Sequence, residues 1–223
     1  MAIHNFPPIE SADENGLLAI GGDLEVRSLL MAYQRGIFPW PISDEFPLAW
    51  FAPNPRGVID LDDFHLPKSF KKFLGKTEMT VEFNTNFPAV IMNCAMAKRK
   101  EQAGTWITDQ IIDSYIEFHK AGYAYSVETY IHKDGKKLMV GGLYGTCIGD
   151  FFSGESMYHI EDNASKLALY TLVERLKEMG ISWLDTQMVT PVIQSMGGRE
   201  ISRDVFMERL SKTDISLGLP PIL

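Results

Sequence analysis

Two carboxylates and one carboxamide lie in short segments that could form a reaction centre. Asp185 stands near the end of the stretch SWLDTQ, and Gln187 follows two positions later. If this stretch is a strand, both side chains point to the same face. Glu155 follows the sequence FFSG, in which Gly154 permits an unusual backbone. A carboxylate beside a carboxamide can position an amine and polarise a carbonyl, so the set is suited to joining an amine to a carbonyl without a metal.

Each of these residues also has a structural interpretation. A buried aspartate is costly unless it is hydrogen-bonded or used. Asp185 could therefore cap a neighbouring loop, and Glu155 could cap a helix or pair with a lysine. Asn163 and Ser165 are best explained as N-cap residues of a following helix. The local sequence leaves both interpretations of Asp185 and Glu155 open.

Aromatic side chains could supply an apolar wall and a stacking surface. Trp40 lies between two prolines in GIFPWP, and a tryptophan in such a loop can stack on a base, which is worth about 1–3 kcal/mol. Trp106 and Phe152 are expected in the core, but both lie near the ends of predicted elements, where they could line a pocket. The five histidines show no metal-ligand spacing, and no GxSxG, P-loop or GxGxxG motif is present.

The charge of the chain is unevenly distributed. A formal net charge of −8 over 223 residues argues against a protein that coats nucleic acid non-specifically. The stretch from Phe64 to Lys76 nevertheless contains four lysines and no acid, and Lys98, Arg99 and Lys100 form a second basic cluster. Either cluster could be a solvated helix face or a local contact with a polyanion.

Other global features are those expected of a cytoplasmic protein. The N-terminal sequence lacks a basic start followed by an apolar stretch, so it does not read as a secretory signal. No apolar run approaches the roughly 20 residues needed to span a bilayer. Cys94 and Cys147 are expected to be buried thiols. No metal or organic cofactor is implied, and a monomer is the default expectation.

Helix and turn signals divide the chain into a small and a large part. Leu24 to Arg35 has apolar residues at helical spacing and is followed by Gly36, a good helix terminator. The segment from Pro39 to Pro55 contains five prolines and should be irregular and rigid. We therefore expect a small N-terminal domain over residues 1–60 and a larger domain over residues 61–223.

The larger part alternates between strand and helix patterns. The predicted strands are Met79–Phe83, Tyr123–Ile131, Leu138–Tyr144, Thr146–Phe152 and Ser182–Thr186, with an Asp-Gly turn between the second and third. The predicted helices are Phe87–Lys100, Ser165–Met179, Arg203–Leu210 and, between the first two, a helix with Thr108 as its N-cap that runs through Lys120 and ends at Gly122. Glu155 and Asn163 then fall in the loop before the third helix. The order predicts an α+β fold with a mixed sheet of the acyltransferase kind, not a doubly wound nucleotide fold.

Eight short motifs occur in the order in which one enzyme family has them. They are NGLLAIGGDL (Asn15–Leu24), LLMAYQRGIFPW (Leu29–Trp40), PNPR (Pro53–Arg56), GTWIT (Gly104–Thr108), GGLYG (Gly141–Gly145), GESM (Gly154–Met157), NASK (Asn163–Lys166) and LDTQ (Leu184–Gln187). With these motifs, which cover nearly the whole chain, the sequence resembles the leucyl/phenylalanyl-tRNA–protein transferases. The resemblance implies a small N-terminal domain and a C-terminal domain of the GNAT-like acyltransferase fold with a mixed, largely antiparallel sheet.

The resemblance also implies a reaction and a set of partners. Leucine or phenylalanine, and methionine less well, would move from Leu-tRNA or Phe-tRNA to the α-amine of an N-terminal Lys or Arg of a protein. In the bacterial N-end rule pathway this transfer marks the acceptor for degradation.

The roles of individual residues follow from the same motifs. Glu155, Asp185 and Gln187 would form the reaction centre, and Trp40 would stack on the 3′-terminal adenine of the tRNA. The pocket for the transferred side chain would be lined by Trp106, Leu143 and Phe152. A basic face that meets the acceptor arm of the tRNA would comprise Lys68, Lys71, Lys72 and Lys76.

The chain departs from the family pattern near the predicted reaction centre. The family often has a cysteine where Thr186 stands, and a histidine shortly after the position of Gln187, where this chain continues MVTPVI. Recognition of the acceptor's basic side chain is therefore not carried over. Two alternatives stay open. One is an acetyl-CoA-dependent acetyltransferase of the GNAT type, although EDNASK is a poor pyrophosphate turn. The other is a non-enzymatic adaptor that binds RNA or protein tails through the Trp40 loop and the lysines.

Overall fold

The computed structural model describes residue 3 and residues 5–42, 47–97 and 105–215. The helices are α1 Val26–Tyr33, α2 Lys68–Leu74, α3 Phe87–Met96, α4 Asp109–Lys120, α5 Ala164–Glu178, α6 Pro191–Ser195 and α7 Arg203–Lys212. The strands are β1 Leu17–Ile20, β2 Phe38–Pro39, β3 Ala49–Phe51, β4 Arg56–Asp60, β5 Thr80–Phe83, β6 Ala124–Lys133, β7 Lys136–Ile148, β8 Phe151–His159, β9 Trp183–Gln187 and β10 Arg199–Ile201.

Local sequence signals explain where several helices begin and end. The side chains of Asn86, Thr108 and Ser202 accept hydrogen bonds from backbone N–H groups in the first turns of α3, α4 and α7. Gly36 and Gly122 follow α1 and α4 with φ angles of 72° and 86°, a conformation that glycine adopts without strain. The predicted positions of these helices are confirmed to within a few residues.

The strands form a small sheet and a large one. The three-stranded sheet has the order β1-β3-β2, and the seven-stranded sheet has the order β10-β4-β9-β8-β7-β6-β5. The predicted Asp-Gly turn joins β6 to β7, with φ angles of 52° at Asp134 and 71° at Gly135, as a hairpin with the right-handed twist of a sheet requires. The neighbouring strands of both sheets are antiparallel except β8 and β9. The predicted mixed, largely antiparallel α+β fold is confirmed.

The parallel pair of strands at the centre of the large sheet is short. Only Phe152 with Leu184 and Ser153 with Asp185 are in register, and α5 is the connection between the two strands. Beyond these positions β8 and β9 are no longer paired. A break between parallel strands leaves side chains of both strands facing a common gap, and this gap is where the cavity described below lies.

Helices cover both faces of the large sheet. On one face, α1, α3 and α4 pack in a hydrophobic cluster that includes Tyr144 and Ile148 of β7. On the other face, α2 and α5 pack in a second cluster that includes Leu143 and Cys147 of the same strand, as the alternation of a strand requires. Among the described residues, none of the helices combines the length and apolar character needed to cross a bilayer.

Glycines permit close approach where β7 meets its neighbours. An added Cβ would lie 2.5 Å from Cβ of Ala164 at Gly141, and 2.5 Å from the carbonyl oxygen of Ser153 at Gly145. Gly141 and Gly145 are therefore strand positions where a neighbour comes too close for a side chain. The predicted break at Gly145 was wrong, because β7 continues through it to Ile148 and the turn comes at residues 149 and 150, with β8 only then beginning.

Three other predictions from the sequence need correction. Glu155 lies within β8, not in a loop, and Ser165 lies inside α5. Asn163 does occupy the N-cap position of α5, but with φ of 68° and without a capping side-chain hydrogen bond. The proline-rich segment is not wholly irregular, since β3 lies between Pro47 and Pro53, where no proline interrupts the ladder.

Two predictions are not decided by the described residues. The helix that begins at Phe87 ends at Met96, whereas Lys98, Arg99 and Lys100 lie outside the described residues. The division of the chain at residue 60 stays a prediction, and one hydrophobic cluster contains residues from both sides of it.

Candidate active site

A cavity of about 280 Å³ opens where β8 and β9 separate. Its walls come from the Trp40 segment, the residues before α4, the strands β7, β8 and β9, helix α5, and the residues that lead into α6. Most of its lining is apolar, with a few polar groups on one side. The lining residues are Trp40, Trp106, Leu143, Tyr144, Phe152, Gly154, Glu155, Ser156, Met157, Leu169, Leu172, Leu184, Thr186, Gln187, Met188, Thr190 and Ile193.

Asp185 lies behind the cavity wall in a buried ion pair with Arg56. Nε and Nη2 of Arg56 donate to Oδ1 and Oδ2 of Asp185, each at 2.7 Å. Oδ1 also accepts the backbone N–H of Gln187 at 3.0 Å, and Oδ2 accepts the hydroxyl of Ser153 at 2.6 Å. Each oxygen therefore has two donors, and Asp185 is fully buried. A carboxylate in this state cannot contact a substrate directly, but it fixes the residues that can.

Arg56 is a residue of the site that the sequence did not reveal. Its guanidinium carbon lies 4.7 Å from the ring centroid of Phe38 and 4.5 Å from that of Phe206, so two aromatic faces enclose the charge. Nη1 donates to the carbonyl oxygen of Gly36 at 3.0 Å. Arg56 belongs to the motif PNPR, which is part of the family resemblance, but nothing in the local sequence indicates that it is buried. Most arginines are exposed.

Gln187 is held in a strained conformation that directs its side chain to the cavity. Its φ of 54° lies in the left-handed region, which is costly for a residue with a side chain. The bond from its N–H to Asp185 stabilises this conformation. Its Nε2 donates to Oγ of Ser153 at 3.0 Å and to Oε1 of Glu155 at 3.1 Å. Both amide hydrogens are thereby committed, and the carbonyl oxygen of the amide is left to accept a hydrogen bond.

Glu155 is the carboxylate that faces the cavity. Its Oε1 accepts the hydroxyl of Tyr33 at 2.7 Å, and its Oε2 accepts the hydroxyl of Tyr115 at 3.5 Å. The side chain is partly open to the cavity, but protein surrounds the carboxyl group closely, and this burial raises the pKa of Glu155 to about 8. The hydrogen bond from Tyr33 and the charge of Arg56 act in the opposite direction, toward a lower pKa, while the charge of Asp185 adds to the rise.

Two tryptophans form one wall of the cavity. The rings of Trp40 and Trp106 are stacked, with centroids 5.1 Å apart and an interplanar angle of 18°. Trp40 is only partly buried. Its backbone N–H donates to the carbonyl oxygen of Ala49, which holds the segment against β3. The stacked pair therefore presents an aromatic face beside an apolar hollow.

The structure brings together most of the residues predicted for the site. Six of them line the cavity, namely Trp40, Trp106, Leu143, Phe152, Glu155 and Gln187. Asp185 adjoins them from behind, so it can act on an amine only through the residues that it holds, Gln187 and Ser153, and not by direct contact. The four lysines lie elsewhere, as exposed side chains on and just after α2, namely Lys68, Lys71, Lys72 and Lys76. That helix packs on the outer side of α5 through Phe70 and Tyr170.

The cysteines and the acidic residues do not suggest a metal centre. Cys94 and Cys147 are buried thiols that form no disulfide with each other, as predicted, and burial raises the pKa of Cys147 above its ordinary value. Within residues 5–42, 47–97 and 105–215, no group of three or more His, Cys, Asp or Glu side chains is placed to hold a metal ion.

Comparison with known sequences identifies the family. Residues 58–211 match the family described as leucyl/phenylalanyl-tRNA protein transferase, and residues 22–54 match the N-terminal domain of the same family. The chain belongs to the leucyl/phenylalanyl-tRNA–protein transferase family. The family predicted from the motifs is thus confirmed, and with it the prediction of a transferase enzyme.

Curated members of this transferase family match over nearly the whole chain. The protein from Pseudoalteromonas atlantica is 46% identical over 223 residues, which cover 97% of this chain and 93% of that protein. The protein from Dechloromonas aromatica is 48% identical over 208 residues, covering 92% and 87% respectively. Both carry the name leucyl/phenylalanyl-tRNA–protein transferase. Among solved structures, FemX matches 69% of this chain and 57% of its own, with a TM-score of 0.49 and 10% sequence identity.

Proposed function

We propose that this protein transfers leucine or phenylalanine, and methionine less well, from aminoacyl-tRNA to the α-amine of an N-terminal Lys or Arg of a protein. This would mark the acceptor for N-end rule degradation. The observation that carries the proposal is a cavity in which an apolar hollow, a stacked tryptophan pair and the hydrogen-bonded pair of Glu155 and Gln187 meet. Membership of the family supports the same reaction. The cytoplasmic location and the monomeric state stay predictions.

The transferred side chain would occupy the apolar part of the cavity. A cavity of about 150 Å³ lined by apolar side chains accepts benzene, so 280 Å³ leaves room for the side chain of leucine or phenylalanine. Leu143, Phe152 and Leu172 lie in this wall, and burying such a side chain is worth about 1.5–3 kcal/mol. A β-branched side chain would meet the wall near its carbonyl group, and one misplaced methyl group costs about 1–3 kcal/mol. Discrimination against isoleucine and valine should therefore be moderate.

The chemical step needs positioning more than strong catalysis by acids or bases. The ester that links an amino acid to the tRNA ribose is already activated, so holding the amine against the ester carbonyl supplies much of the rate. The free carbonyl oxygen of Gln187 can accept a hydrogen bond from the acceptor's amine and aim its lone pair. Asp185 acts through Gln187 and Ser153, both of which it holds by hydrogen bonds.

One experiment separates the proposal from its alternatives. Labelled leucine on charged tRNA is incubated with the protein and a peptide that begins with arginine, and labelled peptide is measured. Transfer to this peptide, and not to one that begins with glutamate, is the expected result. Absence of transfer would refute the proposed function. Acetylation of the peptide from labelled acetyl-CoA would favour an acetyltransferase, and binding of charged tRNA without any transfer would favour an adaptor.

Trp40→Ala should weaken the binding of aminoacyl-tRNA. Stacking of one base on an aromatic ring is worth about 1–3 kcal/mol, which corresponds to a rise of about 5- to 150-fold in the KM for Leu-tRNA. The kcat at saturating Leu-tRNA should change much less, because Trp40 makes no described contact with Glu155 or Gln187. The matched control is Trp40→Phe, which keeps an aromatic face and should retain most of the affinity. An unchanged KM for Trp40→Ala would contradict stacking.

Reversing two charges on α2 should reduce the affinity for tRNA and its dependence on salt. Each phosphate contact that is lost lowers the slope of log affinity against log salt by about 0.7–0.9, so Lys71→Glu with Lys72→Glu should flatten the slope by more than one unit. The control is Lys133→Glu with Lys136→Glu, which reverses two exposed charges on the β6–β7 hairpin. Equal effects of the two double variants would mean that the contact is not localised to α2.

A further inference from the structure

Two buried tyrosines from distant parts of the chain converge on Glu155. Tyr33 is the last residue of α1 and Tyr115 lies in α4; they are 1% and 0% exposed. Tyr33 donates to Oε1 of the carboxylate at 2.7 Å. The two hydroxyl groups are also hydrogen-bonded to each other, and because the Tyr33 proton is committed to Glu155, Tyr115 is the donor of this bond, with Oε2 of Glu155 as a second, longer acceptor at 3.5 Å. The carboxylate that faces the cavity is thus held by groups from two helices on the opposite face of the sheet.

Packing alone does not explain these hydroxyl groups. The ring of Tyr33 stacks on Phe118 at 6.1 Å, and the ring of Tyr115 meets Phe118 and Tyr144 edge-on, contacts that phenylalanine would make equally well. A buried hydroxyl group is costly unless it is hydrogen-bonded. Burial first, and then the charge of Glu155, raise the pKa of both tyrosines well above the ordinary value, so both stay protonated and each hydroxyl group keeps one proton to donate.

The hydrogen bonds leave the two oxygens of Glu155 unequal. Oε1 accepts both Tyr33 and Nε2 of Gln187. Oε2 has only the longer bond from Tyr115 among the described residues, so it keeps room to accept another proton donor. Because Glu155 lines the cavity, its carboxylate lies beside the place where an amine would attack the ester.

We propose that Glu155 accepts the proton of the attacking amine and that Tyr33 and Tyr115 are positioning residues that hold its carboxylate for this task. The inference rests on the proposed function. As the amine nitrogen bonds to the ester carbonyl carbon, one amine proton passes to Glu155. The bond from that carbon to the ribose oxygen then breaks, and Glu155 returns the proton to the ribose oxygen, so that an amide and a free ribose hydroxyl are formed and Glu155 is regenerated.

The acidity of Glu155 fits this task. Efficient proton transfer needs donor and acceptor of similar pKa, and an α-amine has a pKa of about 8, as does Glu155. Four titratable or charged groups shift the pKa of the carboxyl group. The charges of Arg56 on β4 and Asp185 on β9 act in opposite directions, and the hydroxyl groups of Tyr33 and Tyr115 lower the pKa. Loss of a tyrosine hydroxyl group should therefore move the pKa of Glu155 upward.

The test is the pH profile of kcat from pH 6 to 9.5, measured as leucine transfer to the arginine peptide at saturating substrates. For the wild type we expect kcat to rise with pH through a midpoint near pH 8 and to level off above about pH 9. Tyr33→Phe should move the midpoint of the pH profile of kcat upward by about one pH unit, which reduces kcat about tenfold at pH 7. The KM for Leu-tRNA should change less than twofold. Tyr115→Phe should do the same to a smaller extent. Glu155→Gln should lose at least about 100-fold in kcat.

The matched control is Tyr125→Phe, which removes a hydroxyl group that donates to the carbonyl oxygen of Gly122, away from the cavity. It should retain the wild-type midpoint. A uniform fall in kcat at every pH for Tyr33→Phe, with an unchanged midpoint, would indicate a structural role and overturn the inference. If Tyr33→Phe does not fold, Tyr115→Phe decides by the same criterion. Absence of transfer by the wild type refutes the proposed function, whereas wild-type transfer with unshifted variants refutes this inference alone.

Discussion

Asp185→Asn should lower the free energy of unfolding by about 3–5 kcal/mol, because it leaves the buried guanidinium of Arg56 without its counter-charge. Of the polar contacts of Arg56, only the bond to the carbonyl oxygen of Gly36 is independent of Asp185. Transfer should be largely lost as well, since Gln187 and Ser153 depend on the same carboxylate. Urea denaturation followed by tryptophan fluorescence and the leucine-transfer assay measure the two effects.

A double variant separates stability from activity. Arg56→Met with Asp185→Leu replaces the ion pair with apolar side chains, which is often neutral or stabilising in a buried site. The rings of Phe38 and Phe206, which enclose the guanidinium, are suitable neighbours for methionine. We expect the double variant to regain most of the lost stability but not the activity, because the N–H of Gln187 still lacks an acceptor. An active double variant would refute the positioning role of Asp185.

The control for this experiment is an ion pair at the surface. Asp60 pairs with Arg199 and Arg209 and is partly exposed. Asp60→Asn removes a charge of the same sign from the same sheet, but exposed ion pairs are worth about 0–1 kcal/mol. It should therefore cost little stability and leave transfer unchanged. A comparable loss in both aspartate variants would mean that the burial of the Arg56–Asp185 pair does not decide the effect.

Much of the fold follows from local sequence signals. The cap at Thr108, the glycines that follow α1 and α4, and the Asp-Gly turn each determine backbone conformation within a few residues, so these elements were predictable. The pairing of β4 with β9 could not be predicted in this way. It joins Gly57 to Gln187, and no local periodicity encodes which strand lies beside another. β4 itself went unpredicted because a short strand after a proline-rich segment has little pattern.

In the candidate site, too, local features could be predicted from the sequence and long-range contacts could not. Residues that stand in specific motifs, such as Glu155, Gln187 and Trp40, could be selected before the fold was known, and the structure places them around one cavity. Tyr33 could not be selected, although it stands in the motif LLMAYQRGIFPW, because it has the spacing of a core residue on the apolar face of α1. Its hydroxyl group meets a carboxylate 122 positions away in the sequence. For Asp185 the residue was selected correctly, but its partner Arg56 and therefore its indirect role depended on the packing.

Glu155→Gln should make the protein more stable at neutral and alkaline pH. Burial raises the pKa of Glu155 from its ordinary value of 4.5 to about 8 in the folded protein. Between these values the folded protein keeps a proton that the unfolded chain releases, so the free energy of unfolding falls as the pH rises, by up to about 1.4 kcal/mol per pH unit. Below pH 4.5 both states are protonated and the cost vanishes. Above pH 8 both are ionised and the cost stays constant.

Glutamine removes this titration while keeping the shape of the side chain. Its carbonyl oxygen can still accept the hydrogen bonds of Tyr33 and Gln187, and its amide group can donate to Tyr115, so the structure around it should persist. We expect the difference in free energy of unfolding between Glu155→Gln and the wild type to be small at pH 5 and to grow in favour of the variant up to pH 8. Urea denaturation at pH 5, 6.5 and 8 measures it.

The exposed carboxylate of Glu161 supplies the matched control, since Glu161→Gln removes the same charge at the surface beyond β8. That variant should follow the wild type across the three pH values. If Glu155→Gln also follows the wild type, the carboxyl group is ionised in the folded protein at pH 6.5, and the hydrogen bonds from Tyr33 and Tyr115 then outweigh its burial. Glu155 would in that case be a poor proton acceptor for an amine, because its carboxylate would be too weak a base. The stability measurement thus tests the proposed proton transfer without any substrate.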